Sequence, residues 1–96
     1  MDINKLRGFI EKIGAANIPF GMITVTNNSG GGQPVSIENM RAVRAVCDRH
    51  HIPLFLDACR FAENAWFIRT REAGQSGRPV REIVREMFDL CDGATI

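Results

Sequence analysis

The sequence predicts an α/β fold built on a mostly parallel sheet with crossover helices. Two observations carry that reading. Short apolar, β-branched runs at residues 18 to 26 and 52 to 56 alternate with longer segments whose apolar residues recur at threes and fours. The second run, Ile52-Pro53-Leu54-Phe55-Leu56, is apolar on both alternating faces, the pattern of a strand covered on both sides of a parallel sheet. Strands so spaced are joined by right-handed crossovers.

The elements run in order along the chain. Asp2 stands where a helix cap belongs, and Ile3, Leu6, Phe9, Ile10 and Ile13 keep helical spacing until Gly14, which predicts a helix over residues 3 to 13. Ile18 to Thr26 predicts a buried strand, followed by Asn27-Asn28-Ser29-Gly30-Gly31-Gly32-Gln33-Pro34, a turn-forming loop. Ser36 offers an N-cap to a second helix marked by Ile37, Met40, Val43, Val46 and Cys47 and ending near His50. The second strand closes on Asp57. Phe61 to Glu72 reads as a helix with Phe61, Ala65 and Ile68 on one side, and residues 73 to 78 as a surface loop. Pro79 suits a first helical position ahead of the stripe Val80, Ile83, Val84, Met87, Phe88 and Cys91. Gly93 stops that helix, and Ala94-Thr95-Ile96 begins another strand.

Composition bounds the function. With 96 residues, 45% hydrophobic, 24% charged and a net charge of +1, the chain reads as one soluble globular unit, one domain at most. A parallel-sheet segment of that size is marginal alone, so supporting neighbours are expected. Twelve basic residues are spread along the chain against eleven acids, which argues against nucleic acid and anionic membrane as partners. Cys47, Cys59 and Cys91 are odd in number and widely spaced, as reduced cysteines of a cytosolic core would be. No apolar run has the length of a signal peptide or membrane span, and the expected location is cytoplasmic.

In open α/β sheets ligands bind beyond the carboxyl ends of the strands. Two polar clusters fall there, the Asn27-Asn28 loop and Asp57-Ala58-Cys59-Arg60. An aspartate closing an apolar strand calls for a cationic partner, a metal or a role as helix cap, and spacing alone does not choose among them. Arg60 can pair with it or face a ligand. Gly30-Gly31-Gly32 lacks the Lys-Ser/Thr of a P-loop and the spaced glycines of a dinucleotide site, which leaves a tight permissive turn. His50-His51 has no neighbouring carboxylate or cysteine at metal-ligand spacing, so no metal site is expected. Trp66-Phe67 reads as core packing, and Arg81, Glu82, Arg85 and Glu86 as the solvated face of the last helix.

The strings Gly31-Gly32-Gln33-Pro34-Val35-Ser36, Asn39-Met40-Arg41-Ala42-Val43 and Asp57-Ala58-Cys59-Arg60-Phe61-Ala62-Glu63-Asn64-Ala65-Trp66-Phe67-Ile68 resemble the β-eliminating lyases, the pyridoxal-phosphate-dependent tryptophanases and tyrosine phenol-lyases. The resemblance spans nearly the whole chain. It implies that residues 1 to 96 are an internal part of the cofactor-binding large domain of a fold-type I enzyme, the aspartate aminotransferase-like architecture. By the same resemblance Asp57 pairs with the protonated pyridine nitrogen of the cofactor, while Asn28 and Arg60 face its phenolic oxygen. The asparagine is Asn28 by counting back from Gln33. Asn27 and Ser29-Gly30 depart from the family's pattern. Residues 60 to 71 look closer to tryptophanase and 83 to 93 to tyrosine phenol-lyase.

The resemblance further implies an aromatic amino-acid substrate, a monovalent cation such as potassium, and a homo-oligomer, a tetramer. By the same resemblance the family's Schiff-base lysine lies at the end of the strand that begins at Ala94 and is expected beyond Ile96; Lys5 and Lys12 lie on the first helix, where the family has no catalytic role for them, and the 96-residue chain is expected to be inactive alone. Tryptophan cleavage is the first functional expectation. Tyrosine phenol-lyase, another fold-type I enzyme and a non-catalytic α/β binding module are the alternatives.

Overall fold

A computed structural model describes residues 2–25 and 34–95. Four helices and three strands occur in the order α1 (Ile3–Ile13), β1 (Gly21–Thr24), α2 (Ile37–Arg49), β2 (Leu54–Asp57), α3 (Phe61–Arg71), α4 (Val80–Asp89) and β3 (Gly93–Thr95), with a 3-10 turn at Ala15–Asn17. The sheet is parallel throughout, in the order β1-β2-β3, as the alternation of strands and helices predicts.

The predicted helix ends are made by the residues that marked them. The Asp2 carboxylate accepts the Lys5 N–H at 3.1 Å, and Gly14, at φ +90°, donates its N–H to the Ile10 carbonyl and stops α1. Ser36 Oγ accepts the Asn39 N–H at 3.0 Å at the start of α2. A second cap there comes from far along the chain: the Glu72 carboxylate accepts the N–H groups of Ile37 at 2.7 Å and Glu38 at 3.1 Å. Three of the unpaired donors of the α2 N-terminus are thereby satisfied, with negative charge where the helix dipole favours it. The chain leaves α2 through His51, whose φ of 57° is left-handed, and turns at once into β2. Pro79 caps α4 from just outside instead of opening it.

The strands are shorter than the apolar runs that predict them. Ile23 of β1, Val25 just after it, and Leu54 and Leu56 of β2 are buried in one cluster with Met40, Val43 and Cys47 of α2, Ala65 and Ile68 of α3, and Ile83 and Met87 of α4. Alternation sends Met22, Thr24, Phe55 and Asp57 to the opposite face. That face corrects the expectation of a strand covered on both sides. Among the described residues nothing lies over Met22, 41% exposed, or Phe20, 48% exposed, and Phe55 meets Phe20 edge-on at 5.6 Å. Trp66 is another correction: it is 53% exposed, because α3 turns Phe61, Asn64, Ala65 and Ile68 inward and leaves Trp66 outward beneath the Arg69 guanidinium.

Two charged groups hold the amino end of the sheet. Asp92 accepts the Leu54 N–H at 2.8 Å and donates its own N–H to the Leu54 carbonyl at 2.6 Å, while Arg44 binds the Asp92 carboxylate at 2.9 Å. Arg44 and the Leu54 amide hold the Asp92 carboxyl below its ordinary value. Glu86, expected on a solvated face, is instead only partly exposed and bridges Arg41 of α2 and Arg78 of the loop before α4. The Arg41 hydrogen bonds, followed by that from Arg78, pull its carboxyl down despite burial.

This packing has two measurable outcomes. A Cβ on Gly93 would stand 2.7 Å from Phe55 Cε1, so Gly93→Ala should destabilise the chain by about 1–3 kcal/mol in denaturant titrations. In a Phe55→Leu background the same change should cost much less; an equal penalty in both backgrounds would exclude the clash. Glu86 has a lowered folded-state value, so its stabilisation is present above the ordinary glutamate range and lost as pH falls through the lowered value. Glu86→Gln should therefore flatten the acid limb of stability against pH, by about 0.5–1 kcal/mol because Arg41 is half exposed and screened.

Candidate functional site

The carboxyl ends of the three strands form one row. Register sets Thr24 of β1 and Thr95 of β3 on either side of Asp57, so all three side chains leave the same uncovered face. Asp57 thus stands at the middle of a sheet edge that faces out of the helical core. Its backbone is fixed on both sides, since its carbonyl accepts the Val25 N–H at 3.0 Å and the next residue, Ala58, donates to the Thr95 carbonyl at 2.8 Å. The Asp57 side chain is partly buried, and among the described residues no hydrogen bond or ion pair reaches its carboxylate.

That geometry removes the capping alternative. The N-cap of α3 is Arg60, whose side chain makes no capping bond, and Asp57 ends a strand three residues earlier. Nor do Asp57 and Arg60 form a salt bridge. Arg60 is exposed, and its backbone N–H donates to the Val25 carbonyl at 2.8 Å, which ties the start of α3 to the end of β1. Cys59 lies in the same turn and donates its thiol to the same carbonyl at 3.4 Å. Asn28, the third candidate, lies outside the described residues, as do Gly30 to Gln33.

Several of the other thiols and acids are committed elsewhere. Burial pushes the Cys91 thiol up to about 11 and raises that of Cys47, so neither is a thiolate at neutral pH. Asp48, Asp92, Glu82 and Glu86 are paired with arginines, and Glu72 caps α2. No group of three or more metal-ligating side chains occurs among the described residues. No described helix is long and apolar enough to cross a membrane.

One structural residue near the site carries no expectation from the sequence. Asn64, on the first turn of α3, is fully buried, and its side chain pairs with both backbone groups of Val35. The signal is present in the pattern: Asn64 falls on the same helical face as Phe61, Ala65 and Ile68, a lone amide in an apolar stripe. Glu72 gives no such signal, because a glutamate at a helix end is ordinary surface.

Comparison with known proteins covers the whole chain. Residues 1–96 match the family described as beta-eliminating lyase. The chain is 52% identical over its full length to a tryptophanase of Salinibacter ruber, of which it covers 20%. It is 53% identical to a tyrosine phenol-lyase of Intrasporangium calvum, again covering 20%, and 52% identical to a tryptophanase of Rhodobacter capsulatus, covering 21%. It spans about a fifth of the length of these relatives. A family match from the first residue to the last, with relatives about half identical over the full chain, settles the affiliation: the chain belongs to the beta-eliminating lyase family.

Proposed function

We propose that residues 1–96 form part of the cofactor-binding large domain of a fold-type I, pyridoxal-phosphate-dependent carbon–carbon lyase. The observation that supports it is Asp57. A partly buried carboxylate on the open face of a parallel sheet, at the carboxyl end of its middle strand, is stable in ionised form when a cation meets it. The protonated ring nitrogen of pyridoxal phosphate is such a cation, so the residues present suit the group.

When bound, that cofactor supplies an electron sink for cleavage at the substrate side chain. The chain's own residues hold and polarise it. Asp57 accepts the ring N–H and, by favouring the charged form, keeps the proton on that nitrogen. Arg60 offers guanidinium donors to the phenolic oxygen, and its backbone bond to Val25 holds it at the mouth of the same row. Asn28 is the proposed second donor to that oxygen. Thr24 and Thr95 flank Asp57 at the strand ends.

The proposed substrate is L-tryptophan, cleaved to indole, pyruvate and ammonia. L-tyrosine, giving phenol, is the second reading, favoured by a tyrosine phenol-lyase relative as similar as the tryptophanases. The proposal includes a cytoplasmic homo-oligomer, a tetramer, and a monovalent cation such as potassium held elsewhere in the full-length protein.

The test is a Salinibacter ruber tryptophanase in which residues 1–96 replace the matched segment. It should release indole from tryptophan faster than phenol from tyrosine; the reverse order would establish the tyrosine reading. Asp57→Asn in that protein should lower kcat on the order of 100-fold with far-ultraviolet circular dichroism unchanged. Unchanged turnover in the variant would remove Asp57 from the site.

A further inference from the structure

We propose that Thr24 is a positioning residue for Asp57: its hydroxyl donates to the carboxylate oxygen that a bound cofactor ring leaves free, and so turns the other oxygen toward the ring nitrogen. The proposal rests on the reading of Asp57 as the partner of that nitrogen.

A carboxylate presents two accepting oxygens, and a ring N–H engages one of them. The second oxygen needs a donor of its own once the site is covered, because an acceptor cut off from water without a partner is costly. A second donor also fixes the plane of the carboxylate, which otherwise turns about its last single bond. The Asp57 backbone is held by its neighbours on both edges, yet among the described residues no hydrogen bond or ion pair reaches its carboxylate. The sheet sets where this acid stands and leaves open which way its oxygens face.

Register supplies the donor. Thr24 is the Cα partner of Asp57 in the parallel β1–β2 pair, so the two side chains leave the same face side by side, at the strand spacing of about 4.8 Å. Polar pairs form across strands at that separation. Thr24 is kept there by the residue that follows it: Val25 donates its N–H to the Asp57 carbonyl at 3.0 Å and accepts the Arg60 N–H at 2.8 Å. The threonine hydroxyl is a donor that rotates to suit its acceptor. Thr95 flanks Asp57 on the other side, but it is exposed at the end of β3, whereas Thr24 is half-buried. A half-buried hydroxyl competes less with water for its acceptor, which favours Thr24 of the two. Packing does not account for a threonine here. Ile23 and Val25 face the helices, Thr24 faces away from them, and valine would serve the strand as well.

The experiment uses the same segment-replaced tryptophanase, with Thr24→Val, Thr24→Ser, Thr95→Val, Asp57→Ala and the Thr24→Val/Asp57→Ala pair. Pyridoxal-phosphate dissociation constants, the visible circular dichroism of the bound cofactor and melting temperatures are measured for each. Thr24→Val keeps the branched shape and loses the donor, so it should weaken cofactor binding roughly tenfold and alter the dichroism while the melting temperature holds or rises. Thr24→Ser keeps the donor and loses strand preference, so its affinity should stay within about twofold of the parent at a lower melting temperature. Affinity and stability thus move in opposite directions, which a purely structural role does not produce. Thr95→Val should leave the affinity within about twofold of the parent, and Thr24→Val should cost nothing further in the Asp57→Ala background. Binding and dichroism unchanged in Thr24→Val, an equal loss in Thr24→Ser or in Thr95→Val, or a full additional loss on top of Asp57→Ala would overturn the role of Thr24. Binding and dichroism unchanged in Asp57→Ala would overturn the reading of Asp57 beneath it.

Discussion

The rest of this structure depends on the parallel pairing of β2 on both of its edges. A middle strand has no free edge, so its backbone is taken up by its neighbours and its position cannot drift. Each end of β2 is then tied off differently. At the amino end Asp92 engages both polar groups of Leu54, with Arg44 neutralising the carboxylate. At the carboxyl end the Val25 N–H and the Thr95 carbonyl grip Asp57 and Ala58. The first arrangement uses charge to hold the sheet. The second uses only backbone, and so leaves the Asp57 carboxylate available for something else.

That contrast separates structural charges from candidate functional ones. Arg41, Arg44 and Arg78 are engaged by Glu86, Asp48, Asp92 and Glu82, and apart from Arg44–Asp48 within α2 these pairs join α2 to α4 and to the entry of β3, and the loop before α4 to α4. Surface pairs of this kind contribute little individually, but the Arg41-Glu86-Arg78 bridge spans elements far apart in sequence and so fixes how α4 lies against α2. Asp57 and Arg60 belong to none of these networks, although they stand only three residues apart.

How much of this was legible in the sequence depends on which interactions are local. Asp2, Ser36 and Gly14 act on residues within four positions, and each could be read where it stands. The helical stripes of α2 and α4 repeat a burial pattern that one period reveals. The strand runs located β1 and β2 but not their bounds, because pairing partners decide where a strand stops, and β1 and β2 pair only from Gly21 and Leu54 to Thr24 and Asp57. Phe55 shows the deeper limit. Its apolarity predicted a covered face, yet the sequence does not say which helices lie on which side, and all the described ones bury the face of Leu54 and Leu56. Asp57 was legible as a strand-end acid; Glu72 was not legible as a cap, because its two bonds span 34 and 35 residues.

The open face and the unjoined carboxylate are two aspects of one arrangement. A parallel sheet ordinarily has both faces covered, and here Phe20, Met22 and Phe55 form an apolar floor that runs up to the row Thr24, Asp57 and Thr95. Covering that floor would lower the dielectric around Asp57 and strengthen its attraction to any cation placed above it. The same cover would raise the penalty for leaving the carboxylate unpaired. The site's electrostatics therefore depend on what packs over a face to which this chain contributes only one side. An acid at this position is therefore held in place by the sheet, while the strength of its field is set by whatever lies over the open face.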